Sequence, residues 1–278
     1  MPVMSYIDAI NLAMKEEMER DDRVFILGED VGRKGGVFKA TTGLYEQFGE
    51  ERVLDTPLAE SAIAGVAIGA AMYGMRPIAE MQFADFIMPA VNQIVSEAAK
   101  IRYRSNNDWS CPLVVRAPYG GGIHGALYHS QSVESMFAGT PGLKIVIPSS
   151  PHDAKGLLKA AIRDEDPVLF FEHKRAYRLI KGEVPLDDYT LPIGKAEVKR
   201  EGDDITVITY GLAVHFAMQA AERLSATGIE AHILDLRTVY PLDQAAIIEA
   251  ASKTGKVLLV TEDNKEGSTA VAALPFIM

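Results

Sequence analysis

Thr56-Pro57-Leu58-Ala59-Glu60, followed by Gly65-Val66-Ala67-Ile68-Gly69, sets one carboxylate at the mouth of a strand-to-helix turn. Behind it, the almost uncharged stretch from Ser61 to Gly74 reads as a glycine-notched helix. A lone carboxylate facing an apolar wall is a poor surface residue and a good proton handler, because desolvation favours its protonated form near neutral pH. A glutamate at a helix start also favours the helix dipole without any chemistry. Gly65 and Gly69 tilt the balance toward a site, since they allow close backbone approach of another helix or chain.

Other segments carry residues of the right kinds. Gly28-Glu29-Asp30-Val31-Gly32, with Gly35-Gly36, follows a strand, yet two carboxylates in the turn would repel a pyrophosphate and the dinucleotide spacing is not met. Glu29 is read either as part of a solvated acidic loop or as a site residue. Gln82-Phe83-Ala84-Asp85-Phe86 follows another strand end, where open α/β sheets place ligands. There Phe86 offers core packing or a face for a flat heterocycle, and Gln82 a strand cap or a hydrogen bond to a ring nitrogen. The glycine-rich run from Gly120 to Gln131 carries His124 and His129. No third metal ligand lies nearby in sequence, whereas acid–base work suits His129. Arg163-Asp164-Glu165-Asp166-Pro167 is a turn whose oxygens could hold a hard monovalent cation. Serine-nucleophile elbows, paired CxxC, HExxH and Walker sequences are absent.

The elements that must position these residues follow a βα rhythm. A helix over Tyr6–Arg20 leads to a strand at Val24–Leu27, and a helix over Ala62–Tyr73 to a strand at Pro77–Met81. A long helix is predicted over Ala90–Arg104, then strands at Leu113–Arg116, Lys144–Pro148 and Val168–Glu172, with a helix over Asp153–Arg163 between the last two. The alternation predicts α/β architecture with parallel, doubly covered sheets. Residues 1–175 form one domain, 176–200 a Pro-containing connection, and 201–278 a second, shorter βα series. The net charge of -10, with no Lys/Arg run, argues against nucleic-acid binding. Ser61–Met75 is too short for a membrane span. The single cysteine, Cys111, and the absence of a basic leader fit a cytoplasmic, reducing setting.

Taken in order, these segments resemble the beta subunit of the E1 component of a 2-oxo acid dehydrogenase complex, within the transketolase superfamily. The resemblance rests on Gly28–Gly32, Gly36-Val37-Phe38, Asp55–Glu60, Gly65–Gly69, His129-Ser130-Gln131, Pro141–Lys144, Asp153–Leu157, Asp235–Thr238 and Pro241–Asp243. Gln82–Asp85, Gln93–Val95, Glu97–Lys100 and His124–Gln131 look like members acting on branched-chain substrates. The resemblance implies a pyrimidine-binding domain and a transketolase C-terminal-like domain. It also implies bound thiamine diphosphate and oxidative decarboxylation of a 2-oxo acid, with acyl transfer to the lipoyl group of E2. Glu60 then matches the glutamate that hydrogen-bonds the aminopyrimidine, and His129 the histidine linked to acyl transfer. Leu58, Gln82 and Phe86 match positions lining the pyrimidine, with Phe86 where branched-chain relatives often carry Tyr. Glu29 matches an acidic residue between paired sites, and Leu113, Val114, Ala161, Asp164 and Asp166 a potassium-binding region.

The Gly-Asp-Gly motif that binds Mg²⁺-diphosphate in such proteins is missing; only Gly202-Asp203-Asp204 comes near it, in the second domain. The resemblance therefore implies an alpha subunit that completes the site in an α2β2 assembly. After Glu266-Gly267-Ser268 the chain departs from the family pattern and stops several tens of residues short, so the second domain is expected to be incomplete. Two alternatives remain: pyruvate or acetoin as substrate, or a non-catalytic assembly subunit.

Overall fold

The computed structural model describes every residue of the chain except Ala270. The strands in chain order are β1 (Val3–Ser5), β2 (Val24–Gly28), β3 (Val53–Asp55), β4 (Arg76–Glu80), β5 (Val114–Tyr119), β6 (Lys144–Val146), β7 (Val168–His173) and β8 (Lys181–Glu183). They continue with β9 (Glu197–Arg200), β10 (Ile205–Thr209), β11 (Ala231–Asp235), β12 (Thr238–Tyr240) and β13 (Val257–Leu259). One sheet runs β12-β6-β7-β5-β4-β2-β3 and a second β13-β10-β11-β9. Strands β2, β4, β5 and β7 are buried along their whole length, as a parallel sheet covered on both faces requires.

Local sequence explains the framing helices. Ser5 caps the helix Tyr6–Arg20 by accepting the Asp8 amide, and Ser150 caps Pro151–Arg163 by accepting the Asp153 amide, with proline in the first turn. These two helices pack together and are cross-linked by Lys155 and Lys159 to Glu16 and by Arg163 to Glu17. The helix Glu60–Met72 turns Ile63, Ala64, Ala67, Ile68 and Ala71 inward and leaves Val66 and Tyr73 exposed. A Cβ at Gly65 or Gly69 would meet nothing within 4 Å among the described residues. The close approach expected at these glycines is therefore not made within this chain.

The α/β expectation holds with one addition at the sheet edges, and two other expectations need correcting. The sheets are mixed: β12 lies antiparallel to β6, and β9 antiparallel to β11. An edge strand needs only one partner, so antiparallel pairing there disturbs no crossover. First, residues 176–200 are not a bare connection. At one end β8 pairs with β1, and at the other β9 joins the second sheet. Second, no continuous helix runs over Ala90–Arg104. A π-turn at Gln93–Glu97 and a 3₁₀ turn at Ala98–Lys100 precede a single α-turn, Ile101–Arg104. The loop at Gly142 presses on the main chain of Ala99, where a Cβ would collide with the Ala99 carbonyl, and the helical ladder is broken beside that contact.

The domains are interlocked. Strand β12 follows β11 of the second sheet but pairs with β6 of the first. Nearby, Arg237 and Lys199 reach Asp153 at 2.5 and 2.9 Å. Among the described residues no helix is long and apolar enough to cross a membrane.

Candidate active site

The sequence-predicted site residues lie at the carboxyl ends of four neighbouring strands. The chain runs from β2 to β3 on one side and then crosses to β4 on the other, which opens a crevice beyond β2 and β4. Glu29 follows β2, Glu60 follows β3, Gln82 and Phe86 follow β4, and the loop carrying His129 follows β5. Gly28 is needed where β2 meets β4, because a Cβ there would sit 2.7 Å from the Glu80 carbonyl oxygen. The segment leading to Glu60 is tied to the same corner by the Thr56 amide donating to the Gly28 carbonyl at 2.9 Å.

Glu29 and Glu60 are both buried, yet they stand on an open shelf where Leu58 is 78% exposed. Burial pushes the Glu29 carboxyl up, and the neighbouring charges of Glu60 and then Asp30 push it further. One Glu29 oxygen is buried without a hydrogen-bond partner. A buried carboxylate oxygen with no partner among the described residues suits a ligand that brings a polar N–H. The Gln82 side chain makes a long 3.4 Å hydrogen bond to Asp30. Phe86 stands edge-on to Phe83 and His129, with ring centroids 5.4 and 5.5 Å away.

His129 sits in a short turn, Leu127–His129, with Phe83 against its ring at 4.7 Å. Its Nδ1 lies 2.9 Å from the Gly125 carbonyl oxygen. A carbonyl only accepts, so Nδ1 bears the hydrogen, and the neutral form of the ring would carry its lone pair on Nε2. Gly125 must be glycine, since a Cβ would lie 2.5 Å from that of His129.

Sequence reasoning missed the residues that hold this loop. Asp85 Oδ1 accepts both the Ser130 and Gln131 amides at 3.1 Å. Its other oxygen faces Lys174 Nζ at 3.6 Å, and Lys174 lies over the Phe83 ring. Burial lowers the Lys174 pKa, and Asp85 opposes that shift. Glu262, from the second domain, accepts the Gly121 amide at 2.7 Å and a bond from His173 at 2.6 Å. His173 and Lys174 end β7, so the strand-end rule applied to β7 would have found them. Glu262 gave no local signal.

The proposed potassium region is brought together, but not as a set of free ligands. Lys144 Nζ sits 2.7 Å from both Asp164 oxygens, and Arg102 Nε 2.5 Å from Asp166. Arg76 donates to the Ile162 and Asp164 carbonyls at 3.0 Å. The Leu113 and Ala161 carbonyls accept the Val168 and Asp164 amides, and Val114 lies in the β5 ladder. As arranged, the two carboxylates do not fit as cation ligands. Among the described residues no group of three or more His, Cys, Asp or Glu could hold a metal. Gly202-Asp203-Asp204 is a tight turn packed on the main chain of Ala231, with Asp203 3.6 Å from Lys253.

Residues 3–180 match the family described as transketolase, pyrimidine binding domain, and residues 194–278 the transketolase C-terminal domain. The chain is 88% identical over 268 residues to the 2-oxoisovalerate dehydrogenase subunit beta of Bacillus subtilis (strain 168), covering 96% of this chain and 82% of that protein. It is 48% identical over 270 residues to the pyruvate dehydrogenase E1 component subunit beta of the same organism, covering 97% and 83% respectively. Among solved structures it resembles a split gene transketolase, described as an inactive beta4 tetramer. The TM-score is 0.81 at 23% identity, over 99% of this chain and 85% of that one, a likeness of fold.

Proposed function

The chain belongs to the family of 2-oxo acid dehydrogenase E1 beta subunits, and from that premise we propose that it serves oxidative decarboxylation of branched-chain 2-oxo acids. The observation that carries the substrate class is the contrast between 88% identity to a 2-oxoisovalerate subunit and 48% to a pyruvate subunit over nearly the same span. The chemistry is supported by the paired carboxylates Glu29 and Glu60 at the crevice.

Thiamine diphosphate, when bound, supplies the electron sink for the carbanion left by loss of carbon dioxide. This chain's residues fit its pyrimidine half. Glu60 would accept a hydrogen bond from the protonated ring nitrogen, and Leu58, Gln82 and Phe86 would line the ring. Glu29, whose carboxyl is pushed up by burial and by the neighbouring charge of Glu60, would stand beside Glu60 at the edge of the ring site. His129 Nε2 would give or take the proton when the acyl group passes to the lipoyl arm of E2. An alpha subunit would supply the diphosphate and Mg²⁺ half, giving an α2β2 assembly. Potassium, if bound near Leu113, Val114, Ala161, Asp164 and Asp166, would have to use main-chain oxygens, since the carboxylates are already paired.

The test is a substrate panel on the chain purified with its alpha subunit. The isopropyl substrate should exceed pyruvate in kcat/KM by roughly 10–200-fold, the discrimination an apolar pocket supplies. Preference for pyruvate would overturn the substrate class. Glu60→Ala should lose about 10²–10³-fold in decarboxylation, and normal turnover by that variant would remove Glu60 from the chemistry.

A further inference from the structure

The geometry assigns to Glu262 of the second domain a positioning role: it clamps the first turn of the glycine-rich loop and thereby fixes where His129 stands. The inference rests on the reading that His129 serves acyl transfer.

The loop from Gly120 to Gln131 is held at three points. Its base is closed by the Gly120 amide donating to the Gln131 carbonyl at 3.0 Å. Its far end is held by Asp85 through the Ser130 and Gln131 amides, both within the first domain. Its first turn is held by Glu262, whose Oε1 accepts the Gly121 amide at 2.7 Å. The other Glu262 oxygen accepts from His173 Nε2 at 2.6 Å. The direction of that bond follows from the opposite side of the ring, where Nδ1 accepts the Arg175 amide at 3.2 Å and so carries no hydrogen. Both carboxylate oxygens are therefore acceptors for fixed donors, the strong kind of hydrogen bond.

The loop fits this grip closely. Gly120, at φ +83°, leaves no space for a Cβ because the His173 ring fills it. Gly122, at φ +86°, is similarly pressed by Arg175, where a Cβ would lie 2.8 Å from Cδ. Glutamine cannot replace Glu262 in full. Its oxygen could take the Gly121 amide, but its NH₂ would then face the His173 N–H. The hydrogen bonds of the Glu262 carboxylate go to the Gly121 amide and the His173 ring, so the effect expected of removing it runs through the loop.

The experiment uses the chain assembled with its alpha subunit and compares wild type, Glu262→Ala, Glu262→Gln and His129→Ala. Two rates are read: dye-coupled decarboxylation, and acylation of a free lipoyl domain. Amide hydrogen exchange over residues 120–131 is measured alongside. Glu262→Ala should slow lipoyl acylation by roughly 10–100-fold, the effect of an ångström-scale misplacement, while dye-coupled decarboxylation stays near wild type. Protection of the Gly121 amide should be lost, and Glu262→Gln should fall between. Wild-type acylation in Glu262→Ala, unchanged exchange in the loop, or equal loss in both rates would each overturn the proposal. Normal acylation by His129→Ala would instead remove the reading beneath it, and that result is independent of any Glu262 variant.

Discussion

Replacing Glu134 with glutamine should flatten the pH dependence of stability. Glu134 is fully buried at the contact between the domains, where one oxygen accepts the Tyr210 hydroxyl at 2.9 Å and the other has no partner among the described residues. Tyr210 also meets Thr261 at 2.7 Å and Thr269 at 2.6 Å, both from the second domain. Burial pushes the Glu134 carboxyl up to about 7 from an ordinary 4.5. Its own amide and Tyr210 pull it down, and Asp263 and Glu262 push it up. The folded protein thus holds this proton more tightly than the unfolded chain, so the group stabilises the fold at low pH and that contribution fades as pH rises through 7. The full span is roughly 3 kcal/mol, most of which should disappear between pH 5 and pH 8. Asp235, raised by burial to about 6, contributes in the same direction, but equally in wild type and variant. The assay is therefore a difference. Urea unfolding of both proteins across pH 5 to 8 should give curves that converge or cross by roughly 2–3 kcal/mol. Parallel curves would show that the buried carboxyl does not hold its proton as argued.

Arg116 is fully buried between Glu172, which it grips at 2.6 and 2.7 Å, and Glu80 at 2.7 Å. Arg116→Met should cost roughly 3–5 kcal/mol by leaving two carboxylates uncompensated, and an unchanged urea midpoint would contradict this. Asp203→Asn should leave the Mg²⁺ concentration for half-maximal activity of the assembled enzyme unchanged, because Asp203 faces Lys253 in a surface turn. A shifted Mg²⁺ requirement would place a metal contact in this chain after all.

The repeating βα order was legible because β2, β4, β5 and β7 each carry a short apolar run, and helices flanking them begin at readable caps such as Ser5 and Ser150. The break near Gln93–Glu97 was not legible. Its periodicity is helical, and the neighbouring Gly142 contact comes from a loop some forty residues away. Short edge strands such as β9 and β12 have too few residues to declare direction, which depends on the neighbour they meet. Glu29, Gln82 and Phe86 stood out because they follow apolar runs, where such sheets gather ligands, Glu60 because it faces an uncharged glycine-notched helix, and His129 because of its glycine-rich loop.

What the sequence hides is the second domain's part in that crevice. Glu262 and Tyr210 lie far along the chain from the loop, in segments with no motif of their own. Each closes on one flank of it, Glu262 at Gly121 and Tyr210 at Glu134, and β12 locks the two sheets together behind them. A loop rich in glycine has the most conformational freedom to lose, so it needs external contacts to hold a histidine in one place. The first domain holds the far end through Asp85 and packs the His173 ring and Arg175 against Gly120 and Gly122, and the second domain adds the Glu262 carboxylate at Gly121. A change in the orientation of one domain against the other should therefore move His129 before it moves Glu60, whose helix packs on β2 and β4 of the first domain.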